Sequence, residues 1–508
     1  MPQRRQYDVL IVGFGPVGAV LAALGAQLGL RIRVVEKDTE VYRLPRAVQI
    51  DYEVMRLLNF VGVADDVLAN SCASAGYEFV NRDREILMSR YPPAGLAPTG
   101  YPWANMFHQP SLEAALRARL AECPEVEVSL GATVTGVEQD DAGVTAVIEM
   151  EEGSERAEAA YAVGCDGARS FVRRALDIDM VDLGFEEPWV VVDVKLPPGM
   201  RQLTEVSVQL CDPAQPTTSV LSGPGRHRWE FMLRPGDDYA EATRPEVLKA
   251  LLADWVDTEA IELERSAVYE FHGLIARRWR TGRILLIGDA AHQMPPFFGQ
   301  GLCSGVRDAC NLAWKLAAVL RGSVAPAFLD TVQAEREPHV AGITRSAIEL
   351  GRVVCVADEA EAAERDRRML AGRTPFPSMP VITEGVLGDR GAGRPMPEPM
   401  VTGTRRERVD DIVGYVPLLV VADGGRDAAA IQAFRAAFPD ARAGALENAR
   451  DGQLGLEDES GHLRRMIGEE PALLAKPDRI VFGTGSVAML AREWADYLRG
   501  EPLGRGSL

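Results

Sequence analysis

The chain has 508 residues, 47% hydrophobic and 25% charged, with a formal net charge of −19. That length calls for about two or three domains, and the composition is that of a soluble globular protein. The acidic balance argues against a nucleic-acid partner, and no run approaches the roughly eighteen apolar residues of a membrane span.

The N-terminal "MPQRRQYDVLIVGFGPVG" carries Arg4 and Arg5 ahead of an apolar run. That run lasts only about six residues before glycines break it, and no small-residue cleavage site follows, so it reads as a strand and not an export signal. "YDVLIVGFGPVGAVLAALGAQLGLRIRVVEKD" is a strand, a glycine turn, a helix and a second strand ending in an acid. Gly13, Gly15 and Gly18 fit the dinucleotide pattern G-x-G-x-x-G. Gly13 permits the tight turn, Gly15 lets the backbone approach a pyrophosphate, and Gly18 lets the helix pack close to the sheet. Pro16 and Val17 open the helix, whose N-terminus offers free N–H groups to phosphate. Glu36 ends the second strand, next to Lys37, where its carboxylate can accept from ribose hydroxyls and repel a 2′-phosphate. NAD or FAD is therefore expected in preference to NADP.

"VGCDGARSFVRRAL", Val163 to Leu176, repeats the logic of strand end, acid-glycine turn and helix start, with Asp166 at the turn and Arg169 and Arg173 beyond it. From about residue 180 to 275, short runs such as "PWVVVDVKL", "EVSVQL", "RWEFML" and "SAVYEFHGL" alternate apolar and polar residues, the signature of an antiparallel sheet. "RILLI" then reads as a buried strand, followed by "GDAAHQMPPFFGQG" and a long helix. Asp289 ends that strand and can bond the ribityl or pyrophosphate region of a dinucleotide. Pro295 and Pro296 fix φ and direct their carbonyls. Gly299, Gln300, Gly301 and Leu302 leave N–H groups bare at a helix start, suited to developing negative charge.

Together these three segments resemble the flavoprotein monooxygenases of the aromatic-hydroxylase type, over roughly residues 5 to 345. The resemblance implies an α/β fold: a discontinuous Rossmann-type FAD domain (1–180 and 276–370) with an inserted antiparallel-sheet substrate domain (181–275). It places Arg46, in "PRAVQI", and Gln109, in "FHQPSLEAALRARL", against FAD, and "FLDTVQAEREP" matches a further family stretch. The segments 288–322 and 208–237 are similar to the 3-(3-hydroxyphenyl)propanoate hydroxylase branch, although Gln215 stands where that branch usually has arginine.

The activity implied is reduction of non-covalent FAD by NADH or NADPH, capture of O₂ as a flavin C4a-hydroperoxide, and hydroxylation of a phenolic ring. The Pro296 carbonyl is then expected to face the substrate oxygen, with the Gly301 and Leu302 amides at the flavin. Trp189, Gln209, Trp229, Phe231, Phe297 and Phe298 are candidate substrate contacts, and His227 and His272 candidate bases; His292 is expected to be structural. Arg169 and Arg173 are candidates for the nicotinamide cofactor. Alternatives left open are a monooxygenase of polycyclic natural products, an NAD-linked dehydrogenase and a non-catalytic flavin scaffold.

Residues 371–409, rich in Pro and Gly, read as a linker running over a surface. From Asp410 to Leu508 the pattern resembles a thioredoxin-like α/β domain, which here contains no cysteine, so dithiol exchange is excluded. Packing or homodimerisation is its expected role, with a lid as the alternative. Seven cysteines without C-x-x-C spacing suit a cytoplasmic protein, and no metal is indicated.

Overall fold

The computed structural model describes residues 6–41, 46–234, 236–372, 374–402 and 407–500. Tyr7–Val12 is a nearly continuous apolar run because it is a central parallel strand covered on both faces. It pairs in parallel with Gly153–Gly164 on one side and Ile32–Glu36 on the other. Val126–Leu130 extends the second side and Ile284–Leu286 the first. The chain therefore leaves Tyr7–Val12 in both directions, and the C-terminal end of that strand is the crevice where an open α/β sheet takes its ligand. Helix Pro16–Gln27 lies between this sheet and helix Gly301–Leu320. Their close approach depends on Gly305, where an added Cβ would come within 2.6 Å of the Val17 side chain.

The second sheet runs, in spatial order, His292–Gln293, Glu262–Ala276, Met180–Lys195, Arg226–Met232, Thr217–Leu221, Val206–Leu210, Gly76–Val80 and Ile86–Arg90. Its last two strands come from residues 76–90, outside the 181–275 boundary expected for the substrate domain. Gly76–Val80 joins by parallel pairing to Val206–Leu210, a non-local contact that strand periodicity cannot reveal.

The C-terminal unit has the connectivity of the thioredoxin-like expectation. Strand Leu418–Asp423, helix Ala428–Ala437 and parallel strand Arg442–Glu447 are followed by the hairpin Ala472–Ala475 and Val481–Gly485, then helix Val487–Leu498. It is clamped to the rest of the molecule by buried charge. Asp410 is bound by Arg56 at 2.5 Å and by Arg479 at 2.7 Å. Glu335 is bound by Lys315 at 2.6 Å and by Lys476 at 2.5 Å.

The described residues 374–402 are only partly exposed, unlike a linker running over a surface. Val386 and Met396 are fully buried, and the Val386 amide donates to Glu335. Gly388 and Gly393 donate to the carbonyls of Phe482 and Val481 along a strand edge. The many Pro and Gly residues serve close backbone packing in a strap wedged between domains, a use composition does not distinguish from a solvated linker.

Candidate active site

Three turns meet along one cavity of about 1420 Å³. At its nucleotide end Gly13 has φ +104° and donates to the Val35 carbonyl at 2.8 Å. A Cβ there would sit 2.5 Å from the Cys165 carbonyl oxygen, and one at Gly18 would collide with the Gly13 carbonyl. Gly15 differs: its Cβ position has nothing within 4 Å and opens into the cavity, which Pro16 and Val17 also line. Gly15 is thus a cradle that a side chain would fill. Glu36 is turned toward the glycine turn itself, accepting from the Phe14 amide at 2.8 Å and the Asp38 amide at 3.0 Å. Neither it nor Lys37, which pairs with Asp38, belongs to the cavity wall.

Arg46 and Gln109 both line the cavity. Gln109 Oε1 accepts from the Ala47 and Arg46 amides at 2.8 and 3.2 Å, so it also shapes the segment that carries Arg46 into strand Gln49–Asp51. At the acid-glycine turn, Cys165, Gly167 and Ala168 face the cavity while Asp166 turns away. Its carboxylate accepts from Ser170 Oγ at 2.5 Å and the Val172 amide at 3.1 Å, bracing the start of the short helix Phe171–Ala175. Arg173 is buried and donates to the Ala168 and Ala290 carbonyls, tying this turn to the next; Arg169 alone of the two nicotinamide candidates remains exposed.

The third turn supplies the other end. Asp289 lines the cavity and makes no hydrogen bond or ion pair with a described residue. Pro296–Phe298 form a 3₁₀ turn closed by the Gly299 amide donating to the Pro296 carbonyl at 2.8 Å, so one lone pair of that carbonyl is already engaged. Gly299, at φ +64°, redirects the chain into helix Gly301–Leu320. Gly301 and Leu302 line the cavity, and their N–H groups have no protein acceptor among the described residues. The turn is held from behind: Asp308 accepts from His292 at 2.6 Å, Arg336 at 2.8 Å and the Gly288 amide at 3.1 Å. Burial would raise the Asp308 pKa, but His292 and Arg336 outweigh it and hold the carboxyl below its ordinary range. His292 is buried against Asp308 and does not line the cavity.

The sheet that roofs the cavity has a polar and an apolar face, and its register corrects the substrate assignments. Ser207, Gln209, Thr218, Val220, Arg228 and Glu230 face the cavity with Tyr77. His227, Trp229 and Phe231 alternate with them and point away, and the two aromatics pack beneath helix Pro245–Leu252. One residue of parity decides the face. His227 is fully buried, bonded to Ser219 Oγ at 2.8 Å, and burial pushes its pKa down to about 3. It is no base. Trp189 and Phe297 are also excluded from the wall; both are completely buried and meet each other and Phe271 edge-on or stacked. Gln209, Phe298 and His272 do line the cavity.

Sequence reasoning missed Tyr77, Arg228, Glu230 and the strap residues Phe376, Met379 and Pro380, all in the wall. For Glu230 the signal existed: apolar residues at 229 and 231 place 228 and 230 on the opposite face. Gln209 Nε2 donates to Tyr77 Oη at 2.6 Å, Thr218 Oγ1 donates to Gln209 at 2.7 Å, and Tyr77 donates to the Phe297 carbonyl at 3.2 Å. The roof is thereby bonded to the third turn.

These features suit FAD: an open glycine cradle, a carboxylate without a protein partner, and bare helix amides at the far end of one elongated space. Comparisons with known proteins agree. The family model described as FAD binding domain matches residues 6–347. A probable NADH-specific resorcinol 4-hydroxylase of Rhodococcus jostii is 38% identical, covering 96% of this chain and 95% of that protein. A 3-(3-hydroxy-phenyl)propionate/3-hydroxycinnamic acid hydroxylase of Burkholderia vietnamiensis is 35% identical, covering 81% and 78%. Among solved structures, aklavinone-11 hydroxylase in a ternary complex with FAD and aklavinone superimposes with a TM-score of 0.79 at 25% identity, covering 98% and 100%.

Proposed function

The chain belongs to the family of FAD-dependent aromatic hydroxylases, and from that membership we propose that it hydroxylates a small phenol, with NADH as reductant and O₂ as co-substrate. The observation that carries this reading is the continuity of the cavity from Gly15, past Asp289, to Gly301 and Leu302 and on to the polar face of the roof. Gly15, Pro16, Val17, Arg46, Gln109, Asp289 and residues 299–302 would hold FAD, which when bound would relay electrons from NADH and activate O₂.

The protein's part is placement and electrostatics. The bare amides at the start of helix Gly301–Leu320, with the positive end of its dipole, favour negative charge at that end of the cavity. The Thr218–Gln209–Tyr77 chain fixes the roof relative to the third turn, which sets where an aromatic ring can lie. Phe376, Met379 and Pro380 of the strap add an apolar part to the cavity wall, with Phe376 against Tyr77 and Phe298, and would help exclude water around a bound ring.

Among the described residues no buried cation of the roof is left unengaged, which favours a neutral phenol. Gln215 donates to the Met232 carbonyl at 2.9 Å and does not reach the cavity, and Arg228 is held by Asp193 at 2.7 and 3.0 Å. Resorcinol, the substrate in one relative's name, fits this better than a phenylpropanoate. The cavity volume keeps a larger polycyclic phenol as the second reading. Seven free cysteines support a cytoplasmic location, and no helix among the described residues is long and apolar enough to cross a membrane. The test is NADH oxidation stimulated by resorcinol, by 3-(3-hydroxyphenyl)propanoate and by a polycyclic phenol, with products identified by mass. Resorcinol should give the highest kcat/KM and a product one oxygen heavier; stimulated NADH oxidation without an oxygenated product from any of them contradicts the proposal.

A further inference from the structure

One side chain in the roof is out of keeping with its surroundings. Glu230 is 5% exposed, lines the cavity and accepts no hydrogen bond from any described residue. Its nearest cation, Arg228 Nη1, stands 3.8 Å away and is committed elsewhere. Arg228 binds both oxygens of Asp193 and the Arg46 carbonyl, and Arg265 adds a third bond to Asp193 at 3.2 Å. Two guanidinium groups are thus spent on Asp193, while Glu230 keeps open lone pairs. A buried carboxylate in that state is costly unless a donor arrives.

Among the described residues the rest of that face has no second buried carboxylate; the Ser207 hydroxyl is unpartnered but is a far weaker base. Thr218, Gln209 and Tyr77 are bonded to one another and to the Phe297 carbonyl. Glu230 lies directly across from Thr218, which lies across from Gln209. Two strand spacings, about 10 Å, therefore separate Glu230 from the side chain bonded through Tyr77 to the third turn, room for a single aromatic ring. Glu270 and His272 also touch the cavity but are far more open to solvent and lie 3.6 Å from each other.

We propose that Glu230 is the catalytic residue that receives the phenolic proton of the substrate. This rests on the phenol-hydroxylase reading. The substrate O–H bond breaks, its electron pair stays on the phenolic oxygen, and the proton passes to a Glu230 oxygen with no change in oxidation state. As the oxygenated ring regains aromaticity, Glu230 returns that proton to the same oxygen, while the proton of the attacked C–H leaves to solvent. The environment suits the task. Burial pushes the Glu230 pKa up to about 7, opposed by Arg228 and Arg265 and assisted by Asp193; the remaining ionisable neighbour, Tyr77, is itself driven upward by burial. A base poised near neutrality is the effective one.

The experiment uses FAD-loaded wild type, Glu230→Gln and Glu230→Asp with resorcinol, or with whichever tested phenol turns over fastest. Wild type should show kcat falling below about pH 7, and Glu230→Gln should lose about 100-fold or more at about pH 8 together with that acid limb. Glu230→Asp should retain the limb at a displaced pH, and decides the matter if the glutamine variant does not load FAD. Binding of 4-nitrophenol to the oxidised enzymes, followed by its yellow colour, gives a readout independent of turnover. Wild type should hold the probe as the neutral phenol to higher pH than Glu230→Gln does. Equal turnover and equal pH profiles in wild type and Glu230→Gln overturn this assignment alone. A wild type that hydroxylates no phenol overturns the functional reading instead.

Discussion

Replacing Lys476 with Met tests how the C-terminal unit is fastened. Lys476 and Glu335 are both fully buried and 2.5 Å apart, one on the C-terminal hairpin and the other on the helix beside the cavity. Breaking such a pair by removing one partner costs about 3 to 5 kcal/mol, because the other charge is left buried. Here Glu335 keeps Lys315 at 2.6 Å, Asn311 at 2.8 Å and the Val386 amide at 3.0 Å, which places the loss at the lower end, about 3 kcal/mol. Urea unfolding of FAD-loaded wild type, Lys476→Met, Glu335→Gln and the double variant, at equal FAD concentration, measures the pair by a double-mutant cycle. Wild type should unfold both units in one transition, and the cycle should return a coupling of about 1 kcal/mol or more. A destabilisation below about 0.5 kcal/mol, with no coupling, would refute the idea that buried charge clamps this domain in place.

Four further outcomes are expected. Gly15→Val should purify folded but without FAD, since the side chain would occupy the cradle; normal FAD content with normal absorbance would refute that placement. Asp289→Ala should weaken FAD binding by about 10- to 100-fold, the worth of a hydrogen bond to a charged group, as read by fluorescence titration. Glu230 has its folded pKa raised from 4.5 to about 7, so its stabilising contribution is complete below 4.5 and disappears as pH rises through about 7. Relative to wild type, Glu230→Gln should therefore gain about 3 kcal/mol between those limits in urea unfolding, and a pH-independent difference would contradict the assignment. His227→Gln should lower the unfolding midpoint while leaving the pH dependence of kcat unchanged, because His227 lies on the far face of the roof.

The Rossmann core and its turn were legible because their constraints are local. Gly13 needs a positive φ, Gly18 a missing Cβ and Tyr7–Val12 two covered faces, and each requirement falls on consecutive residues. The 288–302 segment was legible for the same reason. Asp166 and Glu36 lie in the expected turns, but the direction of a carboxylate depends on which donors lie nearest, here Ser170 and Val172 for Asp166 and the Phe14 and Asp38 amides for Glu36. Aromatic character at Trp229 and Phe231 suggests a substrate wall but does not make one, because both lie on the helix-covered face of the roof. In this sheet the apolar residues cover a helix, and the cavity takes the polar ones. Strands 76–90 and the 374–402 strap could not be placed from pattern alone, since their partners lie more than a hundred residues away or on another domain.

The most direct test of the account is the crystal structure of the FAD-loaded protein. It predicts one extended FAD, with pyrophosphate density against Gly15 and Val17, a contact from Asp289, and the isoalloxazine against the Gly301 and Leu302 amides, facing Tyr77 and Glu230. FAD density that leaves Asp289 and the start of helix Gly301–Leu320 untouched would contradict it.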